Sequence, residues 1–308
     1  MRIVFLGTPD FAVKPLEAIL NSRHEVLAVV TQPDKPVGRK GVITPCDVKV
    51  FAQSKGVKTL SYNKIRLEGV ADLKALNPDI MVTCAYGQIL SKEILDIAKH
   101  GVINIHASLL PKYRGSAPIQ WSIINGETKT GVTIMQTDVG VDTGDILKAV
   151  SLDITETETA GELFDRLSVL GAETIVSVLD EIEKGSILPV KQDESLATHV
   201  GMLKKEDGLI DFKKSTKDIV NLIRGLNPWP IAFTFLKDKT LKVYSATPCE
   251  NKGSAGEVIF ADIKNGFIVA TGDGAIKINE LQLEGSKKML ARDFLVGNKV
   301  QKGDILGR

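Results

Sequence analysis

An α/β fold with a mostly parallel sheet, followed by a small OB-like β-barrel, is predicted by three observations. Short apolar runs alternate with amphipathic stretches through the first half of the chain. Such alternation favours a parallel sheet with helices on both faces. A long helical pattern at 160–184 closes this region, with Leu163, Leu167, Leu170, Ile175, Val178 and Leu179 at helical spacing. Beyond residue 230, short strand patterns are separated by Lys-Asp-Lys, Lys-Asn-Gly and Gly-Asp-Gly, which suit tight turns.

In chain order, strands are predicted at 2–7, 25–30, 58–61, 79–83 and 102–105, with helices at 9–21, 48–55, 68–75 and 92–98 between them. The turn Gly7-Thr8-Pro9-Asp10-Phe11 lacks the GxGxxG of a dinucleotide loop. Thr8 capping the first helix, with Pro9 at its first position, accounts for it. Pro118 and Gly126 frame a short helix at 117–125, and strands at 131–137 and 146–154 flank a loop of Asp and Gly. A helix at 216–226 precedes five short strands at 232–235, 241–246, 256–261, 266–270 and 275–283. Five strands suit a small barrel. The expected division is a catalytic domain over 1–189, a polar linker over 190–205 and a barrel over 206–308.

Composition agrees with this division. The 308 residues are 43% hydrophobic and 25% charged, enough for two cores and against disorder. No apolar run has bilayer length, and the run after Met1 is too short for a signal peptide, so a cytoplasmic protein is expected. Cys46, Cys84 and Cys249 form no CxxC pair, which points away from disulfide or zinc chemistry. Residues 1–189 carry 20 Lys+Arg against 23 Asp+Glu, or −3; the remainder carries 19 against 15, or +4. A mildly basic second half permits a polyanionic partner without requiring one.

The stretch Val102-Ile103-Asn104-Ile105-His106 interrupts an apolar strand with two polar residues at i and i+2, hence on one face. At the carboxyl end of a parallel strand that face opens toward the ligand crevice. An amide beside an imidazole suits acyl transfer, one stabilising an oxyanion and the other moving a proton. Asp138-Val139-Gly140-Val141-Asp142-Thr143-Gly144-Asp145 follows a later strand, and a carboxylate there could orient the imidazole. A plain Asp/Gly turn is the alternative. The segment from Thr31 to Pro45 is rich in Pro and Gly, and Lys35, Arg39 and Lys40 make it a basic loop. Trp229, between two prolines, reads as a packing anchor at the domain junction.

Together these motifs resemble the folate-dependent formyltransferases. The resemblance rests on Phe5-Leu6-Gly7-Thr8-Pro9-Asp10-Phe11, Asn104-Ile105-His106, the run from Ser108 to Pro118, and the Asp142 loop. Thr31-Gln32-Pro33-Asp34 and Asn227-Pro228-Trp229-Pro230 make it similar to the members that formylate methionyl-tRNA. The resemblance implies Asn104, His106 and Asp142 as the catalytic set, and Ser108, Leu109, Leu110 and Pro111 along the folate site. It also implies that Lys35, Arg39 and Lys40 meet tRNA. The implied co-substrate is 10-formyltetrahydrofolate, the acceptor is methionyl initiator tRNA, and no metal, DNA or membrane is involved. A monomer is expected. Formylation of a small amine, formyl hydrolysis and noncatalytic RNA binding are the competing readings.

Overall fold

The computed structural model describes residues 1–38, 40–297 and 300–307. In chain order, β1 (Arg2–Gly7), α1 (Val13–Leu20) and β2 (Glu25–Thr31) lead into a hairpin of β3 (Lys35–Val37) and β4 (Val42–Thr44). There follow α2 (Asp47–Ser54), β5 (Thr59–Ser61), α3 (Ile65–Glu68), α4 (Val70–Leu76), β6 (Ile80–Cys84), α5 (Lys92–Leu95) and β7 (Val102–His106). Next come β8 (Arg114–Gly115), α6 (Pro118–Ile124), β9 (Lys129–Gln136), β10 (Ile146–Asp153) and the long α7 (Ala160–Lys184). The remainder holds β11 (His199–Val200), α8 (Thr216–Gly225), β12 (Ala232–Leu236), β13 (Lys239–Cys249), β14 (Val258–Asp262), β15 (Gly266–Ala270), β16 (Ala275–Leu283), β17 (Met289–Leu290) and α9 (Ala291–Gly297).

Two compact units result. One comprises Met1–Gly115, Thr130–Leu152 and Phe164–Val200; the other comprises Ser116–Lys129, Asp153–Leu163 and Gly201–Arg308.

In the first unit the sheet runs β10-β9-β7-β6-β1-β2-β5. Pairs from β7 to β5 are parallel, and β9 joins β7 antiparallel. Central β6 is buried along its whole length, so it reads as a continuous apolar run rather than an alternating one. Val4, Leu6, Met81 and Val102 pack with Ile65, Leu73 and Ile94 of the helices. Elsewhere α7 lies close on β7, because an added Cβ at Gly171 would already stand 3.1 Å from Ile105 Cγ2. Phe11 and Phe164 meet edge to face at 5.1 Å, and Ser168 Oγ donates to Phe11 O at 2.8 Å.

The first turn departs from expectation. Residues Asp10–Ala12 form a 3₁₀ turn with Pro9 at its cap and no side-chain cap bond, and α1 starts only at Val13. Thr8 instead donates its hydroxyl to Tyr86 O at 3.1 Å, tying the end of β1 to the loop after β6.

In the second unit the antiparallel order is β12-β13-β16-β15-β14, with β17 on β16. The last residues close it. Val258 N donates to Asp304 O and Leu306 N to Gly256 O, both at 2.8 Å, while Gly307 N donates to Phe235 O at 2.9 Å. The C-terminal strip thereby links the two edge strands, which removes the open edges of a five-stranded sheet. The core gathers Ile219 and Ile223 of α8, Leu241, Val243, Phe267 and Ile276 of the strands, and Phe294 of α9. Ser215 caps α8 by accepting from Asp218 N at 3.1 Å. Trp229 is 55% exposed, so it is not the anchor expected. Trp121 is the tryptophan that packs on this core, and it donates Nε1–H to Gly201 O at 3.0 Å.

Candidate active site

Asn104 and His106 sit two residues apart on β7, and the loop between β9 and β10 brings Asp142 to His106; all three belong to the first unit. His106 Nδ1 lies 3.6 Å from Asp142 Oδ2, with side-chain exposures of 7% and 16%. His106 Nε2 stands 3.0 Å from Tyr113 O. A carbonyl can only accept, so this contact places the proton of a neutral imidazole on Nε2 and leaves Nδ1 as the basic nitrogen. A proton taken up at Nδ1 would then sit beside the Asp142 carboxylate.

Asp142 is itself held. Its Oδ2 accepts from Gly115 N at 2.8 Å, and its backbone adopts φ 54°, a left-handed conformation that costs a non-glycine residue. Asp138 serves the loop rather than the imidazole, since its Oδ1 accepts from Gly140 N and Thr143 Oγ1. Gly144 is required by close approach, because a Cβ there would collide with the carbonyl of Gln136.

Asn104 is half-buried, and its Oδ1 accepts from Thr83 Oγ1 at 2.9 Å across the β6–β7 pair. With Oδ1 so engaged, the Nδ2 donors point elsewhere and make no hydrogen bond among the described residues. The site thus holds a free amide donor, a basic imidazole nitrogen and a carboxylate. This set can stabilise an oxyanion and move one proton.

The next segment is structural at its base. Ser108 is fully buried; its hydroxyl donates to Lys112 O at 2.7 Å and its carbonyl accepts from Thr133 Oγ1 at 2.7 Å. Leu110 is also buried, whereas Leu109 and Pro111 keep partial exposure. A cavity of about 770 Å³ in the same unit lies at the other, amino end of β7, where His100, Val102, Gln136, Asp138, Leu147 and Ile182 are among its lining; none of Asn104, His106, Asp142 or the segment from Ser108 to Pro111 lines it.

The basic loop is a β-hairpin, with Pro36 opposite Ile43 and Val37 opposite Val42. Val37, Val42 and Ile43 are 57–63% exposed, an apolar tip that the basic character of the loop had masked. Lys35 donates to Gln32 Oε1 at 2.7 Å, while Lys40 is exposed. Arg39 lies outside the described residues.

Known proteins share this architecture. The profile described as "Formyl transferase" matches residues 1–179, and "Formyl transferase, C-terminal domain" matches 202–299. The chain belongs to the formyl transferase family. The methionyl-tRNA formyltransferase of Geobacter metallireducens is 49% identical over 308 residues, spanning 100% of this chain and 99% of the relative. That of Ruminiclostridium cellulolyticum is 46% identical over 313 residues, covering all of both chains. Among solved structures, the sugar 3N-formyl transferase WlaRD, seen with dTDP and 5-N-formyl-THF, shares the fold at TM-score 0.70 and 23% identity, covering 93% of this chain and 99% of that one. HypX from Aquifex aeolicus, in complex with tetrahydrofolic acid, matches at TM-score 0.64 and 18% identity, over 98% of this chain and 50% of its own.

Within this formyl transferase, the groups that sequence reasoning missed are Thr83, Tyr113 and the Gly115 amide. Two of them act through backbone atoms, which leave no mark in residue type. Among the described residues no helix is long and apolar enough to cross a membrane.

Proposed function

We propose that this chain transfers the formyl group of 10-formyltetrahydrofolate to the amino group of methionyl initiator tRNA. The reading is supported by His106 facing Asp142, two residues from Asn104 on β7, in a chain that matches methionyl-tRNA formyltransferases over its whole length. Sugar-formylating relatives share the fold at far lower identity, so they do not set the acceptor.

The chemistry follows from the donors. The neutral methionyl amine attacks the formyl carbon; a C–N bond forms and the carbonyl becomes an oxyanion, which the Asn104 amide stabilises. The His106–Asp142 pair takes the ammonium proton, which ends on Nδ1 beside Asp142 Oδ2. The bond from carbon to N10 then breaks and the proton passes to N10, so charge balances with no covalent enzyme intermediate. Positioning of the two reactants contributes, up to about 7–11 kcal/mol in the best-oriented systems.

Leu109 and Pro111 are the members of their segment with surface left to touch a folate, while Ser108 and Leu110 are buried. Lys35 and Lys40 of the hairpin, with Arg39 in the same stretch of sequence, suit phosphate, and the exposed Val37, Val42 and Ile43 suit an unpaired base, the combination single-stranded RNA recognition uses. Asn104, His106 and Asp142 all come from one chain, so the reading needs no second copy and is that of a monomer; its place would be the cytoplasm, with the charged tRNA.

The test is formylation by the purified chain, supplied with 10-formyltetrahydrofolate and either methionyl initiator tRNA or a small amine. Formyl-methionyl-tRNA is the expected product. Turnover of small amines alone would overturn the acceptor, and no transfer at all would overturn the reaction.

A further inference from the structure

We propose that residues 192–198, which lie between the two family-matched regions, form a strap that positions His106 from both sides. The proposal rests on the catalytic reading of His106 and Asp142.

Arg114 is the anchor. It is the largest fully buried side chain among the described residues, at 1% exposure, and a buried charge is tolerated only when paired and hydrogen-bonded. The strap supplies its partners. Nη1 and Nη2 donate to the two carboxylate oxygens of Glu194 at 2.9 and 2.7 Å, and Nε and Nη2 donate to Gln192 Oε1 at 3.1 and 2.8 Å.

That arrangement dictates what Gln192 does. A guanidinium can only donate, so the oxygen of the Gln192 amide must face it and the nitrogen must face away. The nitrogen is aimed at the catalytic loop: Nε2 donates to Asp142 O at 2.8 Å and to Gly144 O at 2.7 Å. One amide therefore connects a fixed buried cation to the backbone of the carboxylate that faces His106 Nδ1.

The other side of the imidazole is held by Thr198. Its carbonyl accepts from Arg114 N and its Oγ1 accepts from Tyr113 N, both at 2.8 Å, and β11 continues the pairing with β8 through His199 and Val200. Tyr113 carries φ 60° and presents the carbonyl that accepts from His106 Nε2. Gln192 thus acts through Asp142 and Thr198 acts through Tyr113; both are positioning residues, and neither touches the reacting atoms.

Two substitutions separate this role from general stability. Gln192→Glu keeps an oxygen for Arg114 but replaces the donor with an oxygen facing two carbonyls. Thr198→Val removes the acceptor for Tyr113 N at equal size, and Thr198→Ser restores it. The readouts are kcat and KM with methionyl-tRNA and 10-formyltetrahydrofolate, together with ¹⁵N-correlated spectra of the four imidazoles of the intact chain. Loosening the site should lower kcat by about 10- to 100-fold with little change in either KM. It should also move the His106 resonances in both variants while those of His24 and His100 stay in place, and Thr198→Ser should return kcat and His106 toward wild type. Wild-type kcat in both Gln192→Glu and Thr198→Val, or a lowered kcat with His106 resonances unmoved, would overturn the strap. Wild-type kcat in His106→Ala would instead overturn the catalytic assignment beneath it, whatever the spectra of the strap variants show.

Discussion

Asp142→Asn tests the centre of the site with the least disturbance. The amide oxygen can keep the 2.8 Å bond from Gly115 N, and the backbone bond from Gln192 is untouched, so the loop should stay in place. What disappears is one negative charge 3.6 Å from His106 Nδ1. At an effective dielectric near 20, unit charges at that separation attract by about 4–5 kcal/mol. Partial exposure of Asp142 screens some of this, which leaves about 2–4 kcal/mol and a fall in kcat of roughly 30- to 1000-fold. The charge matters only while the imidazole holds the proton, so the loss belongs in kcat and not in KM. Single-turnover formylation of methionyl-tRNA at saturating 10-formyltetrahydrofolate isolates that step, and a thermal melt checks the fold. A kcat within about threefold of wild type, or a loss carried wholly by KM, would refute the role assigned to the carboxylate.

Asn104→Ala should lower kcat by about 100- to 1000-fold with an unchanged melting temperature, because it removes the one free amide donor of the described site; equal kcat would remove Asn104 from the mechanism. Replacing Val42 and Ile43 by Ser should raise KM for tRNA while leaving KM for the folate unaltered, and a change in both would show that the hairpin supports the fold instead. Affinity for tRNA should fall steeply with added salt through loss of phosphate contacts, and a flat dependence measured by filter binding would count against them. The hydrogen bonds from Arg114 hold the Glu194 carboxyl below its ordinary 4.5. A depressed acid stabilises the fold above its unfolded value, and that contribution is lost as pH falls through the folded one. Melts of wild type and Glu194→Gln should therefore differ at pH 7 and draw together as pH falls through the lowered Glu194 value, and parallel curves would show that the pair contributes nothing.

Much of the fold was legible in the residues because burial imposes periodicity. The continuous apolar run of β6, the helical spacing of α7 and the turn chemistry between the late strands each reflect which faces meet water. Asn104 and His106 stood out for the same reason, as polar residues where an apolar strand pattern should continue. Thr8 shows the limit of local reasoning: its cap signal was sound chemistry, yet Tyr86, distant in sequence, offered a carbonyl that took the hydroxyl.

The sequence by itself determined the alternating α/β unit, the antiparallel second unit and the residue types at the centre of the site, since these follow from patterns within a few residues. Local pattern left the acidic residues of that loop alike and only the resemblance singled out Asp142; the tertiary structure puts Asp142 beside His106, engages Asp138 within the loop, and decides which imidazole nitrogen is left to accept a proton. It also decided that a polar stretch read as linker holds the loop of Asp142 and Gly144 through Gln192. The physical reason is common to all of these. They depend on which backbone carbonyls, amides and buried guanidinium a side chain meets, some across gaps of 27 to 80 residues and the His106–Tyr113 contact across only 7, and residue type and spacing do not encode such meetings.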